Sequence, residues 1–226
     1  MKEKQKKLAN IEIDSSMLKR IKALCINYGF ESCNLKDMLE YVLEIAEKSN
    51  IDLMTGLYNK QQFEKDLSRQ IIYAERTQSS FSVAVLDFND LRNVNNTLGH
   101  KYGDVAIEEA AKAITKNIRE YDTAYRIGGD EFAIILPQAT QEHIAGIVYR
   151  IKRDVKESVE KTFAEQGLMH KSRGISIGFS SYSGELRIIY CEEELKRKAA
   201  ELFEEADKAM YADKNKAYGE GMLRYE

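Results

Sequence analysis

The sequence predicts an α/β (α+β) fold in which a mixed β-sheet is flanked by helices. From about residue 51 onward, short apolar segments typical of strands alternate with longer segments of helical periodicity. Two of the strand-like segments, 124–129 and 131–137, meet at a Gly-Gly-Asp turn, which indicates an antiparallel hairpin. Strands that alternate with helices and include one hairpin are typical of a mixed sheet covered by helices.

The elements of this main domain, residues 51–226, follow from local patterns. Helical segments carry apolar residues three and four positions apart, whereas strand segments are short and rich in β-branched or aromatic residues. In chain order they are a helix over 59–77, a strand over 81–88, a helix over 103–119, strands over 124–129 and 131–137, a helix over 142–167, a strand over 174–183 and a helix over 193–218.

Residues 1–50 are predicted to form a separate, mainly helical module. A short alternating segment over 8–14 precedes two amphipathic helices over 15–29 and 34–49. A module of this size buries too little apolar surface to be stable alone, so we expect it to dimerise or to regulate the main domain. Its strand–helix–helix order resembles ribbon-helix-helix DNA-binding dimers, but Glu12 and Asp14 would face and repel phosphate. We therefore favour a dimerising arm over one that binds nucleic acid.

Composition and charge exclude several classes of protein. Hydrophobic residues make up 43% of the chain, charged residues 31%, and the net charge is −3, which indicates a globular protein without a basic field for nucleic acid. No apolar run is long enough to span a membrane, and the N-terminus lacks the apolar segment of a signal peptide. The cysteines lack metal-ligand spacing, so we expect buried free thiols at Cys25, Cys33 and Cys191 and a cytoplasmic location.

Three carboxylates are predicted to meet at one edge of the sheet. Asp87 ends a strand, where ligands of open α/β sheets usually bind, and Asp130 and Glu131 follow the hairpin glycines. We expect the pair Gly128 and Gly129 to supply the positive φ of a tight turn. If the strand and the hairpin are neighbours, the carboxylates form a site that suits Mg²⁺. The alternative is structural, since Gly-Gly-Asp turns and strand-end aspartates occur in many folds.

An ordered set of motifs runs through the main domain. The segments are DLMTGLYNK (52–60), LDFNDLRNVNNTLGHKYGD (86–104), RIGGDEF (126–132), ISIGFS (175–180) and ADKAMYADK (206–214). In sequence and in order they resemble the motifs of the GGDEF family, the diguanylate cyclases, over about residues 50–218. Agreement of this many ordered segments by chance is negligible.

The resemblance implies a fold like the palm of nucleotide polymerases and a particular reaction. Two GTP are condensed into cyclic di-GMP, and two pyrophosphates leave. Each subunit of a homodimer would hold one GTP, and Mg²⁺ or Mn²⁺ would be the cofactor. In such in-line phosphoryl transfer, positioning and charge neutralisation supply most of the catalysis.

The resemblance also implies catalytic roles. Asp87, the Phe88 carbonyl and Asp130 would hold metal. Asp130 would also serve as the base for the 3′-hydroxyl, with Glu131 assisting.

Substrate contacts follow from the resemblance in the same way. Gly128 and Gly129 would lie close to the nucleotide, and Lys214 would contact its phosphates. Asn95 and Asp104 would read guanine, because its N1–H and N2 amine can donate hydrogen bonds to a carboxylate. A cyclase that makes another dinucleotide is less favoured, because adenine would leave Asp104 unpaired. Without the resemblance, Asn95 would be a turn residue, Asp104 a helix N-cap and Lys214 a solvated charge.

An R-x-x-D pattern, from Arg119 to Asp122, lies nine residues before Gly128. It resembles the family's inhibitory site, at which cyclic di-GMP binds, and Arg150 stands where the family sometimes supplies a second arginine. Arginine can fork onto a phosphate or onto guanine O6 and N7. The alternative is a surface pair between Arg119 and Asp122 that contributes under about 1 kcal/mol.

The chain departs from the family pattern at Lys60, Asn89, Asn96, Asp213, Ala217 and Tyr218. Asn89 removes a negative charge near the metals, and Tyr218 replaces a phosphate-contacting arginine for which Lys216 could compensate. These departures leave an alternative function, that of a degenerate domain that binds GTP or cyclic di-GMP and signals to a partner.

Overall fold

The computed structural model describes residues 50–139, 141–186 and 191–219. The chain divides into two units, Met1–Ser49 and Asn50–Glu226, and all described residues belong to the second. The strand and helices predicted before residue 50 therefore lie outside the described residues, as do Cys25 and Cys33.

A five-stranded mixed sheet forms the centre of the described domain. Its strands are β1 (Tyr58–Asn59), β2 (Ser80–Phe88), β3 (Thr123–Arg126), β4 (Glu131–Pro137) and β5 (Ile175–Ser183). They lie in the order β1-β3-β4-β2-β5, with β1 parallel to β3 and each other neighbouring pair antiparallel. The predicted mixed sheet and its β3–β4 hairpin are confirmed, and β2 lies directly beside that hairpin.

Helices flank the sheet on both sides. They are α1 (Lys60–Thr77), α2 (Leu91–Leu98), α3 (His100–Asn117), α4 (Gln141–Glu165) and α5 (Glu192–Tyr218). Helix α1 begins after Asn59, whose side chain accepts a hydrogen bond from the Gln62 backbone N–H at 3.1 Å, as N-cap residues do. None of the helices in the ranges 50–139, 141–186 and 191–219 is long and apolar enough to cross a membrane.

The sheet separates two apolar layers. Successive residues of β2 point to opposite faces. Val83 and Val85 pack towards α1 and α5, whereas Leu86 and Phe88 pack towards α3 and α4. Because both faces of β2 are covered, its sequence is almost continuously apolar until it reaches Asp87.

Helix α2 is not among the predicted elements, because the sequence favours turns around Asn95 and Asn96. Asp90, with a left-handed φ of 67°, precedes the helix, and Gly99, with a φ of 97°, ends it. Val94 is the buried residue of α2. Leu91 and Leu98 also pack against the core, so apolar residues do recur at helical spacing, but the segment has only 8 residues and its three asparagines favour turns.

Several local predictions are wrong. Helix α3 begins at His100, so Asp104 lies inside the helix and is not its N-cap. Neither Gly128 nor Gly129 has a positive φ, so the hairpin turn does not depend on left-handed glycine. Cys191 is exposed rather than buried, because it stands at the N-cap of α5.

The outer edge of β5 is bonded to helix α5. Asp213 accepts a hydrogen bond from the Ile177 backbone N–H at 2.9 Å and pairs with Lys152 Nζ of α4 at 2.6 Å. Gly178 lets α5 lie close to the strand, because a Cβ there would stand 1.9 Å from the Met210 backbone nitrogen. One departure from the family pattern, Asp213, thus ties three elements together.

Candidate active site

Strand β2 and the tip of the β3–β4 hairpin lie side by side. Asp87 is directly opposite Glu131 in the antiparallel ladder, so their side chains share one face of the sheet. The Phe88 backbone N–H donates to the Asp130 carbonyl oxygen at 2.9 Å. These contacts bring the backbones of Asp87, Asp130 and Glu131 to one edge of the sheet, which we call the acidic edge.

Asp87 is the most enclosed residue of the acidic edge. It is 8% exposed, and Lys214 Nζ donates to its Oδ1 at 2.6 Å. Burial raises the pKa of Asp87; Lys214 opposes this rise, and the negative charges of Asp130 and Glu131 add to it. Burial would lower the pKa of Lys214, but the hydrogen bond and charge of Asp87 outweigh it and raise that pKa. The concentration of negative charge favours a bound cation at this edge.

The oxygen donors at the acidic edge fit a hard divalent cation. Asp87 and Asp130 offer carboxylates and Phe88 offers its backbone carbonyl, and Mg²⁺ prefers oxygen ligands. Within the residues that the structure describes, no group of three or more His, Cys, Asp or Glu side chains is arranged to hold an ion. A cation here would therefore complete its coordination with water or with substrate phosphate, as Mg²⁺ commonly does.

Arg126 fastens the hairpin turn to the segment before α1. Its Nη2 donates to the Gly129 carbonyl at 2.7 Å, and its Nη1 donates to Asp52 Oδ1 at 3.1 Å. Asp52 also accepts from the backbone N–H and the hydroxyl of Thr55, at 2.9 and 2.7 Å. Burial by itself would raise the pKa of Asp52, but these hydrogen bonds and the charge of Arg126 lower it. Asp52 is the first residue of the motif DLMTGLYNK, and Arg126 is the first residue of RIGGDEF. Their places in these motifs are the sequence signal that could have singled out the pair.

The two hairpin glycines serve different purposes. A Cβ on Gly128 would meet Glu131 Oε2 at 2.4 Å, so this glycine lets the Glu131 side chain fold back over the turn. A Cβ on Gly129 would meet nothing within 4 Å, so the space beside it is open. Open space next to the turn that carries Asp130 is what a bound nucleotide requires.

The two residues expected to read guanine lie on adjacent helices. Asn95 is on α2, and Asp104, which is exposed, is on α3. Asn95 Oδ1 is buried and has no hydrogen-bond partner among the described residues. A Cβ at Gly103 would stand 1.9 Å from this oxygen, so a glycine is needed for Asn95 to lie here. A buried acceptor without a partner can receive a donor from an incoming ligand.

The predicted inhibitory residues gather around His143 of α4. Burial lowers the pKa of His143, the positive charges of Arg119 and Arg150 lower it further, and Asp122 opposes them. Asp122 is 6% exposed and accepts from the Arg119 backbone N–H at 2.8 Å. The Arg119 guanidinium instead donates to the Tyr121 hydroxyl at 2.6 Å. Because His143 belongs to no motif, only packing reveals its place in this cluster.

Asn89 links the end of β2 to the segment before β5. It is 1% exposed; its Oδ1 accepts from the Ser176 hydroxyl at 2.9 Å, and its Nδ2 donates to the Arg173 carbonyl at 3.3 Å. Its backbone N–H donates to the Gly174 carbonyl at 2.9 Å. An aspartate here would lose the side-chain donor and set a carboxylate against a carbonyl oxygen. Asn89 therefore has a structural role and does not extend the acidic edge.

Tyr218 lies one helical turn after Lys214 at the end of α5. The Arg173 guanidinium carbon is 4.7 Å from the centre of the Tyr218 ring, and Arg173 Nε is 3.3 Å from Asp90 Oδ2. Arg173 lies outside every quoted motif, so the sequence alone does not indicate that it belongs to this cluster. Lys216, which could compensate for Tyr218, is exposed. The remaining departures are exposed as well: Lys60 on α1, Asn96 on α2 and Ala217 on α5.

Comparison with known proteins identifies the family. The family model described as "Diguanylate cyclase, GGDEF domain" matches residues 49–219. The probable diguanylate cyclase DgcJ of Escherichia coli K12 is 36% identical over 137 residues, which are 61% of this chain and 25% of DgcJ. The diguanylate cyclase DgcS of Shewanella oneidensis is 30% identical over 171 residues, which are 76% of this chain and 51% of DgcS. The chain thus spans between a quarter and about half of the length of these relatives.

Solved structures have the same fold. The GGDEF domain of DgcB from Caulobacter crescentus, in complex with c-di-GMP, aligns with a TM-score of 0.58 and 26% identity over 76% of this chain and 92% of that one. The diguanylate cyclase SiaD of Pseudomonas aeruginosa, in complex with its activator SiaC, aligns with a TM-score of 0.60 and 26% identity over 95% of this chain and 72% of that one. Together with the signature hairpin, these matches show that the chain belongs to the GGDEF-domain family of diguanylate cyclases.

Proposed function

We propose that this protein is a diguanylate cyclase that condenses two GTP into cyclic di-GMP and releases two pyrophosphates. The observation that carries the proposal is the acidic edge, where Asp87 faces Glu131 across the ladder and bonds to Lys214 at 2.6 Å. The reaction takes place in the cytoplasm, where GTP is available, and requires a homodimer.

The acidic edge holds a divalent cation, Mg²⁺ or Mn²⁺, through the Asp87 and Asp130 carboxylates and the Phe88 carbonyl. When bound, this cation neutralises charge on the triphosphate. Asp130 accepts the proton of the 3′-hydroxyl as general base. Glu131 assists by adding negative charge beside Asp87, whose proton affinity it raises.

Asn95 and Asp104 select guanine over adenine. Guanine presents an N1–H and an N2 amine, which can donate hydrogen bonds to the Asp104 carboxylate and to the buried Asn95 Oδ1. Adenine lacks the N1–H and would leave an acceptor unpaired, which costs about 1–3 kcal/mol. GTP should therefore be preferred over ATP by roughly tenfold to a hundredfold.

Two copies of the chain are needed because each provides one nucleotide site. In each half-reaction, a bond forms between the 3′-oxygen of one GTP and the α-phosphorus of the other. The bond from that phosphorus to the pyrophosphate oxygen breaks, pyrophosphate leaves, and Asp130 receives the hydroxyl proton. Two such attacks close the ring of cyclic di-GMP.

Incubation of the full chain with GTP and Mg²⁺ or Mn²⁺, followed by nucleotide analysis, tests the proposal. We expect cyclic di-GMP and pyrophosphate in a ratio of one to two from the stoichiometry of the reaction. Asp130→Asn should abolish product, whereas Glu204→Gln, at an exposed site on α5, should leave it unchanged. GTP that stays intact with either metal, at protein concentrations that give dimers, would overturn the proposal.

A binding module without catalysis is the second candidate function. The engagement of Asn89 with Ser176 and Arg173 favours it, because the acidic edge then carries one charge fewer than the family pattern. Under this candidate, calorimetry would detect binding of GTP or cyclic di-GMP while no product forms. The same incubation therefore separates the two functions.

We also propose that cyclic di-GMP inhibits the enzyme at the cluster around His143. Arg119 and Arg150 supply guanidinium groups there, and the half-buried imidazole is within electrostatic reach of both. Added cyclic di-GMP should slow GTP turnover, and Arg119→Ala should relieve this inhibition without lowering the initial rate. Equal inhibition of the Arg119→Ala variant would contradict this assignment.

A further inference from the structure

Arg173 precedes β5 and points its side chain at the last turn of α5. Its guanidinium carbon is 4.7 Å from the centre of the Tyr218 ring, and its Nε is 3.3 Å from Asp90 Oδ2. The Arg173 side chain is 49% exposed. The recorded ion pair is made through Nε, and a side chain this exposed leaves the guanidinium accessible to a ligand from solvent.

The backbone on either side of Arg173 is fixed. Asn89 Nδ2 donates to the Arg173 carbonyl at 3.3 Å, and the Asn89 backbone N–H donates to the Gly174 carbonyl at 2.9 Å. Gly174 has a left-handed φ of 70°, and its N–H donates to Ser172 Oγ at 3.0 Å. The Ser172 N–H in turn donates to Glu160 Oε1 at 3.1 Å. A braced turn therefore presents Arg173, which limits the entropy lost when its side chain binds a ligand.

Tyr218 connects Arg173 to the acidic edge. Residues four positions apart on a helix are neighbours on its surface, so Tyr218 lies beside Lys214. The Tyr218 hydroxyl is within electrostatic reach of Asp87, Lys214 and Arg173. Tyr218 thus neighbours both Arg173 and Lys214, which places Arg173 near the lysine end of the site.

We infer that Arg173 binds the triphosphate of the substrate together with Lys214. This inference rests on the proposed function, since it names a further residue that would contact GTP. A guanidinium can contact phosphate oxygens through two parallel hydrogen bonds, which a lysine cannot do. Asp90 neutralises Arg173 just as Asp87 neutralises Lys214.

Two departures from the family pattern are explained by this role. Tyr218 offers a flat aromatic face that supports the guanidinium, whereas an arginine at 218 would repel it. Asn89 offers an amide donor to the Arg173 carbonyl, whereas an aspartate would repel that oxygen. In this interpretation, Arg173 in the turn before β5 replaces the phosphate-binding arginine that the family has at the end of α5, and Asn89 and Tyr218 hold Arg173 in place.

Kinetics and binding of three variants of the full chain test the inference. Arg173→Ala should lower kcat/KM for GTP about tenfold to a hundredfold, the loss expected for a hydrogen bond to a charged group. Arg173→Lys should retain part of the activity. The double variant Arg173→Ala/Tyr218→Arg should recover most of the loss, because it returns a guanidinium to the same side of the site. Arg197→Ala, an exposed arginine of α5 that pairs with Glu201, is the matched control and should behave as wild type.

A binding measurement separates this inference from the proposed function. A GTP analogue with a methylene bridge between its α- and β-phosphates should bind Arg173→Ala about tenfold to a hundredfold more weakly, whereas guanosine should bind both forms equally. If wild type makes no product but this difference persists, the cyclase proposal fails and the role of Arg173 stands. If wild type is active and Arg173→Ala matches it, or if Tyr218→Arg gives no recovery in the Arg173→Ala background, the inference is overturned. Should Arg173→Ala fold poorly, Arg173→Gln keeps the side-chain stem and carries the same expectations.

Discussion

At the scale of single residues, Lys214 and Asp87 form the most informative contact in the site. The Lys214 ammonium lies 2.6 Å from Asp87 Oδ1 and so pairs with the carboxylate that a metal ion would use. Both groups are partly withdrawn from water, and the ammonium neutralises part of the negative charge of the acidic edge. A metal ion at Asp87 would compete with Lys214 for the carboxylate, and the triphosphate of the proposed substrate would give the displaced ammonium a new partner.

Replacing Lys214 by methionine should therefore have opposite effects on two ligands. Lys214→Met removes a competitor for Asp87, so the nucleotide-free protein should bind Mn²⁺ more tightly, as measured by calorimetry. The same change removes a phosphate contact, so kcat/KM for GTP should fall about tenfold to a hundredfold. Lys208→Met, an exposed lysine on the same helix, serves as the control. Weaker Mn²⁺ binding by Lys214→Met would contradict competition between the ammonium and the metal.

Asp122 gives a prediction about stability. Burial raises its pKa, although the Arg119 backbone N–H and the charges of His143 and Arg119 oppose the rise. A carboxyl whose pKa is raised by folding binds its proton more tightly in the folded state, so stability falls as pH rises through the folded-state pKa. At neutral pH the ionised, buried group destabilises the fold, and its Oδ1 has no hydrogen-bond partner in the described part of the chain.

Asp122→Asn should therefore raise the melting temperature at neutral pH. The gain in melting temperature should disappear at about pH 4, close to the ordinary pKa of the carboxyl, because Asp122 of the folded wild type is then protonated as well. Thermal unfolding at both pH values measures the difference. Asp207→Asn, on α5, is the matched aspartate control. A melting temperature that drops at neutral pH would show that the charge of Asp122 is stabilising.

Candidate site residues could be singled out from the sequence where they belong to a motif, and not where they depend on packing. The order of motifs is enough to single out Asp87, Asp130 and Lys214. His143 and Arg173 belong to no motif, and they enter their clusters because α4 and the turn before β5 bring them there. No local pattern encodes such long-range neighbours.

At the scale of elements, Arg126 adds a tether at the tip of the β3–β4 hairpin, beyond the strand pairing that holds its base. Arg126 joins the Gly129 carbonyl to Asp52, so the turn that carries Asp130 is fixed to the segment before α1. A loose turn would let Asp130 drift from Asp87, and displacements of about 1 Å can cost about a hundredfold in rate.

Arg126→Ala should reduce kcat more than it changes KM, because the turn still exists but Asp130 is less well positioned. A decrease in kcat of about tenfold to a hundredfold is expected from steady-state kinetics. Asp52→Asn should give a smaller decrease, and the double variant should be little worse than Arg126→Ala, since both changes break the same tether. Effects that multiply in the double variant would show that the residues act independently. Arg69→Ala, at an exposed ion pair of α1, is the control.

The strands and long helices could be predicted because their apolar periodicity is strong, and they match to within a few residues at their ends. Strand β1 has only two residues, and the helical spacing of Leu91, Val94 and Leu98 in α2 spans only 8 residues among asparagines that favour turns. The pairing of β2 with β4 does not follow from local periodicity either, because it joins residues some fifty positions apart in sequence, such as Leu86 and Phe132. The site therefore depends on a register that only the folded sheet reveals.

At the scale of the whole molecule, the proposed reaction couples activity to association. A single copy offers one acidic edge, whereas the product needs two nucleotides that face each other. The specific activity should therefore fall on dilution once dimers dissociate, and rise to a plateau at high protein concentration. Initial rates measured alongside light scattering test this relation. A specific activity that stays constant across a range in which the mass falls from dimer to monomer would rule out catalysis between two copies.

The bond between Asp213 and the Ile177 N–H also governs how copies of the sheet can meet. A free backbone donor on an edge strand invites a strand from another molecule, which is a common route to aggregation. At Ile177 this donor is already occupied by a carboxylate, and Lys152 sets a second fixed charge beside it. An incoming strand would have to displace this charge pair before it could extend the ladder. The β5 edge is thus protected at Ile177 against pairing with a strand of another molecule.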